Sequence, residues 1–246
     1  MNILVCISKA PDTTAKISFT DNNTKFNEDK VQFIVNPYDE WYALVRGLEL
    51  KEANGGTVTT ISVGGADLDP IIRKALAIGA DKAVRVNTEA SDAYFVAKQI
   101  ADFARDKSFD LILAGKETIN YNGSQVGAMV AELLDLPFVS VASKLEMDGN
   151  KATVHRDAPG GEEVVEGDLP MVISSAKGMA EQRIPNMRGI MAARTKPLEV
   201  VEPSEGDHLT EVAHYELPPE KGEVKMIDPE NMDELVQLLH NEAKVI

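Results

Sequence analysis

LILAGKETINYNGSQVGAMVAELL, residues 111–134, is the stretch that decides the fold of this chain. Its first four residues are apolar and are typical of a short buried parallel strand. The polar segment 116–123 contains two asparagines and a glycine, residues that suit tight loops. Ser124 is predicted to N-cap a helix. The apolar face of that helix carries Val126, Met129, Val130, Leu133 and Leu134.

A strand, a loop and a helix N-terminus in this order form a place where anions can bind. The free N–H groups and the positive end of the helix dipole lie beyond the carboxyl ends of the strands, where open α/β sheets bind nucleotides. An ordinary strand-to-helix loop has the same spacing, so the pattern leaves both interpretations open. The stretch matches neither G-x-G-x-x-G nor a Walker A loop.

Composition limits the classes of function. The 246 residues are 43% hydrophobic, which allows one large α/β domain or a domain with an appendage. A formal net charge of −15 argues against nucleic acid as a partner. The single cysteine, Cys6, excludes an intramolecular disulfide and favours a reducing compartment. We see no signal peptide and no membrane-spanning stretch, so we expect a cytoplasmic chain without membrane insertion.

Strands and helices are predicted to alternate through the first part of the chain. The predicted strands are 3–7, 57–63, 83–86, 111–114 and 137–141, with a β excursion at 17–35. Helices are predicted to begin at the capping residues Asn36 and Ser91 and at Asp69-Pro70. This alternation predicts a doubly wound, mostly parallel sheet in a nucleotide-binding α/β domain formed by residues 1–195.

The pattern changes after residue 143. Residues 144–155 are predicted to form a hairpin about Asp148-Gly149, and 164–175 form another β segment. Residues 196–246 form a polar C-terminal arm that ends in an amphipathic helix starting at Asp228-Pro229. The apolar stripe of this helix is suited to docking on a partner subunit, and packing against its own domain is an equal alternative.

The motifs of common catalytic sites are absent. The four histidines are scattered without metal-ligand spacing, so we expect no metal site. There is no G-x-S-x-G motif and no arrangement of Cys and His that suggests a nucleophile. A nucleotide-binding fold without catalytic residues is typical of a carrier or binding protein, so we expect no enzyme activity of its own.

Six stretches together resemble the beta subunit of electron transfer flavoprotein. They are ILVCISKAPDTTAKI (3–17), NPYDE (36–40), RKALAIGAD (73–81), the central stretch, RDAPGGEE (156–163) with Leu169-Pro170, and RIPNMRGIMAARTKPL (183–198). The resemblance implies an adenine nucleotide α hydrolase-like or flavodoxin-like fold and a heterodimer with an alpha subunit that holds most of the FAD. It also implies electron transport from flavin dehydrogenases, such as the acyl-CoA dehydrogenases of fatty acid oxidation, to a membrane quinone oxidoreductase.

The resemblance also implies a nucleotide site. In the ordinary branch of the family the beta subunit binds AMP as a structural ligand, and in the electron-bifurcating branch a second FAD takes that place. Carried over by position, the lining residues run from 120 to 131 in the central stretch and include earlier positions. The cofactor-binding residues so implied are Cys6, Asn36, Pro37, Tyr38, Asp39, Val63, Asn120, Tyr121, Asn122, Gly123, Ser124, Gln125, Val126 and Gly127. This loop departs from the family pattern in two places. Asn120-Tyr121-Asn122 replaces a more acidic run, and Ser124-Gln125-Val126-Gly127 replaces Asn-Gln-Thr-Gly, so Val126 lacks a hydroxyl that could bond phosphate.

Two further residues are implied as partner contacts. Glu163 matches a glutamate that pairs with the alpha subunit near the flavin, and Met187 occupies the place of an apolar anchor for the dehydrogenase. Thr13 stands where some relatives have an aromatic residue beside the flavin. Two rival classes are a universal-stress-type nucleotide-binding homodimer and an adenylating enzyme of the nucleotide hydrolase class. The long arm speaks against the first, and the lack of a Gly-rich pyrophosphate loop speaks against the second.

Overall fold

A nine-stranded sheet forms the centre of the computed structural model, which describes residues 1–90 and 92–246. The strands are β1 (Asn2–Cys6), β2 (Lys9–Pro11), β3 (Phe19–Thr20), β4 (Lys25–Phe26), β5 (Phe33–Val35), β6 (Thr57–Val63), β7 (Lys82–Val86), β8 (Leu111–Gly115), β9 (Phe138–Asp148), β10 (Lys151–Ala158), β11 (Gly161–Asp168), β12 (Met171–Ser175) and β13 (Leu198–Val201). The helices are α1 (Asp39–Asn54), α2 (Asp69–Ile78), α3 (Ala93–Arg105), α4 (Val126–Leu134), α5 (Met187–Ala193) and α6 (Met232–Gln237).

The strand order confirms the doubly wound α/β fold. Across the sheet the order is β11-β10-β9-β12-β8-β1-β6-β7-β13, and the pairs from β9 to β13 are parallel. From β1 the chain first builds the β6 and β7 side and then crosses to β8 on the other side. The order therefore reverses beside β1, and such reversal points are where open α/β sheets bind ligands.

Alternating residues of β1 reach the two halves of the core. Ile3 and Val5 belong to the cluster that packs against α1 and α2, and Leu4 and Cys6 belong to the cluster that packs against α3 and α4. The four side chains are buried because helices cover both faces of the sheet. The continuous apolar run of β1 is the sequence signature of this arrangement.

The predicted hairpin is also present. β9 and β10 pair antiparallel, with Asp148 opposite Lys151 on either side of the turn at Gly149. β11 continues this meander at one edge of the sheet. The predicted β segment 164–175 is two strands, β11 and β12, separated at 169–170.

Several predicted helix starts are wrong by a few residues. α1 begins at Asp39 with Tyr38 at its N-cap position, and the buried Asn36 lies outside the helix. Ser124 has φ +53°, so the N-cap position of α4 falls to Gln125 instead. The predicted cap Ser91 lies outside the described residues, and Asp92 caps α3 by accepting a 2.7 Å hydrogen bond from the Phe95 N–H.

The first part of the arm packs against its own domain. β13 pairs with β7, so the main sheet extends past the predicted boundary at residue 195. Ser204 then exchanges hydrogen bonds with Gln99, at 2.8 and 2.9 Å. The ring of Tyr215 stacks on Phe19 with 4.9 Å between centroids.

The terminal helix α6 has no buried residue and begins at Met232, with Asn231 rather than Asp228 as its cap. A wider π-type turn, Leu238–Ala243, continues it. Among the described residues we find no helix with the length and apolar character needed to cross a bilayer.

Candidate functional site

The candidate site lies at the carboxyl ends of four neighbouring parallel strands. β6, β1, β8 and β12 end at Val63, Cys6, Gly115 and Ser175, and the loops that follow them meet at this edge. The central loop, residues 116–125, connects β8 to α4. The sheet topology therefore brings Cys6, Val63 and the central loop to one edge, as the sequence predicts.

The central loop is a tightly turned segment that is exposed from Asn120 onward. Tyr121 N–H and Asn122 N–H both donate to the carbonyl of Thr118, at 3.3 and 2.9 Å. Asn122 and Ser124 have φ values of +49° and +53°, a region that asparagine tolerates better than most residues. Ser124 donates its hydroxyl to the Glu117 carboxylate at 3.3 Å instead of capping α4.

The N-terminus of α4 has open backbone donors. The cap residue, Gln125, makes no side-chain hydrogen bond to the N–H groups of the first turn. A Cβ on Gly123 would meet nothing within 4 Å, which leaves space beside this terminus. Gly127 has a packing role, because a Cβ there would lie 3.3 Å from the Phe138 ring. The arrangement fits an anionic group such as a phosphate.

Asn36 joins the segment before α1 to the central loop. Its side-chain amide donates to the Glu117 carbonyl at 2.8 Å and accepts from the Ile119 N–H at 3.3 Å. Asp39 accepts from the Glu117 N–H at 3.4 Å, and burial raises the pKa of the Asp39 carboxyl. Residues 36–39 and the central loop are therefore in contact, although Asn36 uses its amide on the protein backbone.

A buried carboxyl group follows directly. Glu40 accepts hydrogen bonds from the Ser8 N–H and hydroxyl, at 2.8 and 2.7 Å, and burial raises its pKa to about 7. Burial, with the nearby Glu40, raises the pKa of Cys6 to about 12. Because the Cys6 thiol stays protonated, it is not a nucleophile. Glu40 does not stand out in the sequence, because it is one of many acidic residues in this chain.

An open cleft of about 340 Å³ lies beside these residues. Tyr38 and Asp39 line one part of it, and Lys116, Glu117 and Ile119 of the central loop line another. Lys116 and Glu117 form an ion pair at 2.9 Å. The cleft thus has polar walls of both charges, which suits a polar ligand or a polar segment of a partner.

Tyr215 is a further residue at this edge that the sequence analysis did not identify. Its backbone N–H donates to the Asn23 carbonyl at 2.8 Å. The pKa of Tyr121 is raised, mainly by burial and also by the nearby Tyr215 hydroxyl. The arm therefore passes beside Tyr121 of the central loop. No short-range pattern in the sequence relates positions 121 and 215.

The proposed flavin-side residues lie on other loops and strands. Glu163 lies on β11 and pairs with Arg156 of β10 at 2.8 Å, while Arg156 also contacts the Ser140 hydroxyl at 3.0 Å. Thr13 is exposed and follows Asp12, whose carboxylate accepts from the Thr14 N–H at 2.9 Å. Hydrogen bonds from Thr14 lower the pKa of Asp12.

Met187 belongs to an exposed apolar patch, which consists of Ile184, Met187 and Met191. Their side chains are 78%, 74% and 66% exposed. Such a group of exposed apolar side chains is typical of an interaction surface. Met187 begins α5, and Asn186 caps this helix by accepting from the Gly189 N–H at 2.8 Å.

The domain holds this patch at both ends. At its start, Trp41 Nε1 donates to the Arg183 carbonyl at 3.3 Å, and the Arg183 guanidinium pairs with Glu52 at 2.6 Å. At its end, Arg73 donates to the carbonyls of Ala193 and Lys196, at 2.8 and 2.7 Å. The apolar side chains are therefore presented by a fixed segment.

Comparison with known proteins assigns the family. The electron transfer flavoprotein domain matches residues 23–206. The electron transfer flavoprotein subunit beta of Bacillus subtilis (strain 168) is 38% identical over 260 residues, covering 100% of both chains. This chain belongs to the electron transfer flavoprotein beta subunit family. Electron transport is therefore the process in which it takes part.

Other members of the electron transfer flavoprotein beta family are also similar along the whole chain. The subunit beta of Syntrophomonas wolfei subsp. wolfei is 36% identical, covering 100% of this chain and 98% of the relative. The mitochondrial subunit beta of Arabidopsis thaliana is 33% identical, with both chains covered completely. The predicted family resemblance is confirmed, and the site residues stay predictions. Within residues 1–90 and 92–246, His, Cys, Asp and Glu form no group of three able to hold a metal ion.

Proposed function

We propose that this chain is the beta subunit of a heterodimeric electron transfer flavoprotein. It carries electrons from flavin dehydrogenases, such as acyl-CoA dehydrogenases, to a membrane quinone oxidoreductase. The main support is similarity over the complete length of a beta subunit, at 38% identity. Three features of the structure suit this role: an open helix N-terminus, an exposed apolar patch and an unburied terminal helix.

FAD shared with an alpha subunit would supply the electron chemistry when bound. The chain itself would position and shield this group. Glu163, on the edge strand β11, is exposed and held by Arg156, so it is available to a second subunit. Thr13 is too small to stack on a flavin ring, and this loop would contribute backbone and hydroxyl contacts. We assign no catalytic residue to this chain.

AMP is the proposed ligand of the central loop. The N–H groups at the start of α4 would hold its phosphate, because the side chain of the cap residue Gln125 does not occupy them and a helix N-terminus attracts anions. Cys6 and Val63 would supply the apolar floor, since both are buried at strand ends in one core cluster. No proton transfer is needed, which agrees with a ligand that stabilises the fold.

Two surfaces are proposed for protein partners. The patch of Ile184, Met187 and Met191 would dock the dehydrogenase, with Met187 as the apolar anchor. The arm beyond Tyr215, including α6, would dock on the alpha subunit. No residue of α6 is buried, and its apolar Met232 and Val236 are 49% and 53% exposed, so these side chains are available to a second subunit.

The test is cofactor quantification in the heterodimer. The chain is co-expressed with its alpha subunit, the purified complex is denatured, and FAD and AMP are measured per heterodimer. One FAD and one AMP are expected. Two FAD without AMP would instead indicate the electron-bifurcating branch, with the central loop as a redox site. A colourless homodimer would refute the proposal in favour of a universal-stress-type nucleotide-binding protein.

A further inference from the structure

Asn36 is the one polar residue among the proposed ligands that is completely buried, at 0% exposure. Its amide group is directed at the central loop, with the NH₂ on the Glu117 carbonyl at 2.8 Å and the oxygen on the Ile119 N–H at 3.3 Å. Each side of the amide therefore has a backbone partner. The amide could form further hydrogen bonds, but its complete burial leaves no exposed surface for a nucleotide to contact.

The two contacted residues lie on either side of the first residue of the turn in the central loop. That turn is closed by the hydrogen bonds that Tyr121 and Asn122 donate to Thr118, which lies between Glu117 and Ile119. Fixing residues 117 and 119 therefore fixes the start of the turn. This turn then sets the path of residues 122–125 into the N-terminus of α4.

The segment that contains Asn36 is anchored at both ends by regular secondary structure. β5 ends at Val35 and pairs with β2, and α1 begins at Asp39. Glu40 of this helix holds the neighbouring loop through Ser8, at 2.8 and 2.7 Å. Residues 36–40 thus contact two loops of the carboxyl edge through different side chains.

We infer that Asn36 is a positioning residue, which sets the nucleotide site by holding the central loop and does not itself touch the nucleotide. This inference rests on the proposed function, because it concerns the same site. Removal of the amide would leave the Glu117 carbonyl and the Ile119 N–H without partners. The central loop would then sample other conformations before any ligand binds, and only the fraction in the binding-competent conformation would accept AMP.

The test uses hydrogen exchange and AMP titration on the full-length chain in its heterodimer. In Asn36→Ala, the peptide that covers 116–123 should exchange about ten- to hundredfold faster in the absence of AMP, as expected from two lost buried hydrogen bonds. AMP affinity should fall by a similar factor. The peptide that contains Ser8 should keep its protection, because Glu40 holds it. Asn54→Ala, which removes a side-chain bond to Leu50 in α1, is the matched control.

Hydrogen exchange measured before AMP is added distinguishes a residue that positions the central loop from one that contacts AMP directly. Unchanged exchange of 116–123 would overturn the inference even if AMP affinity falls, since that combination indicates direct contact with the ligand. Equal loosening of the Ser8 peptide would also overturn it, because the whole edge would then be destabilised. Asn36→Ser, which keeps a small polar group, replaces Asn36→Ala if the latter does not fold. A wild-type heterodimer without AMP would refute the ligand assignment alone, while the exchange result would still decide the role of Asn36.

Discussion

Replacing Gly115 by alanine should destabilise the chain by a steric conflict at the start of α1. A Cβ at this position would lie 2.8 Å from Glu40 Cγ, 3.1 Å from Glu40 N and 3.2 Å from Asp39 Cβ. The Glu40 side chain cannot swing aside without breaking its hydrogen bonds to Ser8. The first turn of α1 must therefore move away from β8. Overpacking of this kind costs about 1–3 kcal/mol.

The measurement is the free energy of unfolding from urea titrations, with thermal unfolding as a second assay. For a chain of this size each kcal/mol lowers Tm by about 2–4 °C. Gly123→Ala is the matched control, because a Cβ there would meet nothing within 4 Å and should change stability by less than about 0.5 kcal/mol. Both substitutions lower the conformational entropy of the unfolded chain by a similar amount. The difference between their free energies of unfolding therefore reports the steric conflict at position 115. Equal stability of the two variants would refute the reasoning.

Three further predictions concern charge, docking and the arm. Because burial raises the pKa of Glu40 from 4.5 to about 7, its protonated form favours the folded state. Its contribution to stability is complete below about pH 4.5 and falls by roughly 3 kcal/mol as the pH rises through about 7. In Glu40→Gln this fall should be absent from the pH dependence of urea unfolding. Met187→Ala should weaken docking of the proposed dehydrogenase partner by ~1–2 kcal/mol, with FAD content unchanged. The measurement is the rate of electron transfer at limiting partner concentration. Asp92→Ala should lower the free energy of unfolding in urea by about 1 kcal/mol, because α3 loses its N-cap. It should also speed hydrogen exchange at Leu209 and Thr210, whose N–H groups donate hydrogen bonds to the Asp92 carboxylate.

A fall with rising pH that persists in Glu40→Gln would refute the charge prediction. The docking and capping predictions each have a control on a comparable residue. Val200→Ala, an exposed apolar residue on β13, should not alter the electron transfer rate. Asp106→Ala, at the other end of α3, should leave exchange in the arm unchanged. A control that behaves like its test variant would contradict the corresponding prediction.

The strands were predictable because their cause is local. Thr57–Val63 forms β6 at the predicted bounds, since β-branched residues in a run that glycines terminate favour a strand. Parallel order could be predicted as well, because helices of similar length separate the strands. These features depend on pattern and composition, which the sequence states directly.

The helix caps were less predictable because a capping side chain also has other partners. Asn36 and Ser124 both have side chains that can cap a helix, but both hydrogen-bond to other groups. Asn36 binds the backbone of Glu117 and Ile119, which are 81 and 83 residues away along the chain. Ser124 binds the Glu117 carboxylate. Glu40 and Tyr215 were missed for a related reason. Their roles depend on contacts with Ser8, Phe19 and Tyr121, which only the folded chain brings together.

The fixed ends of segment 183–196 affect the thermodynamics of binding at α5. If the seven residues of α5 became ordered only on association, the lost backbone entropy would oppose binding by about 1 kcal/mol for each residue. Because Trp41 and Arg73 already hold the segment in the free chain, most of that entropy is lost during folding. An apolar patch of three side chains can then give useful affinity from a small area, and its complexes can still dissociate quickly, which suits the proposed carrier role.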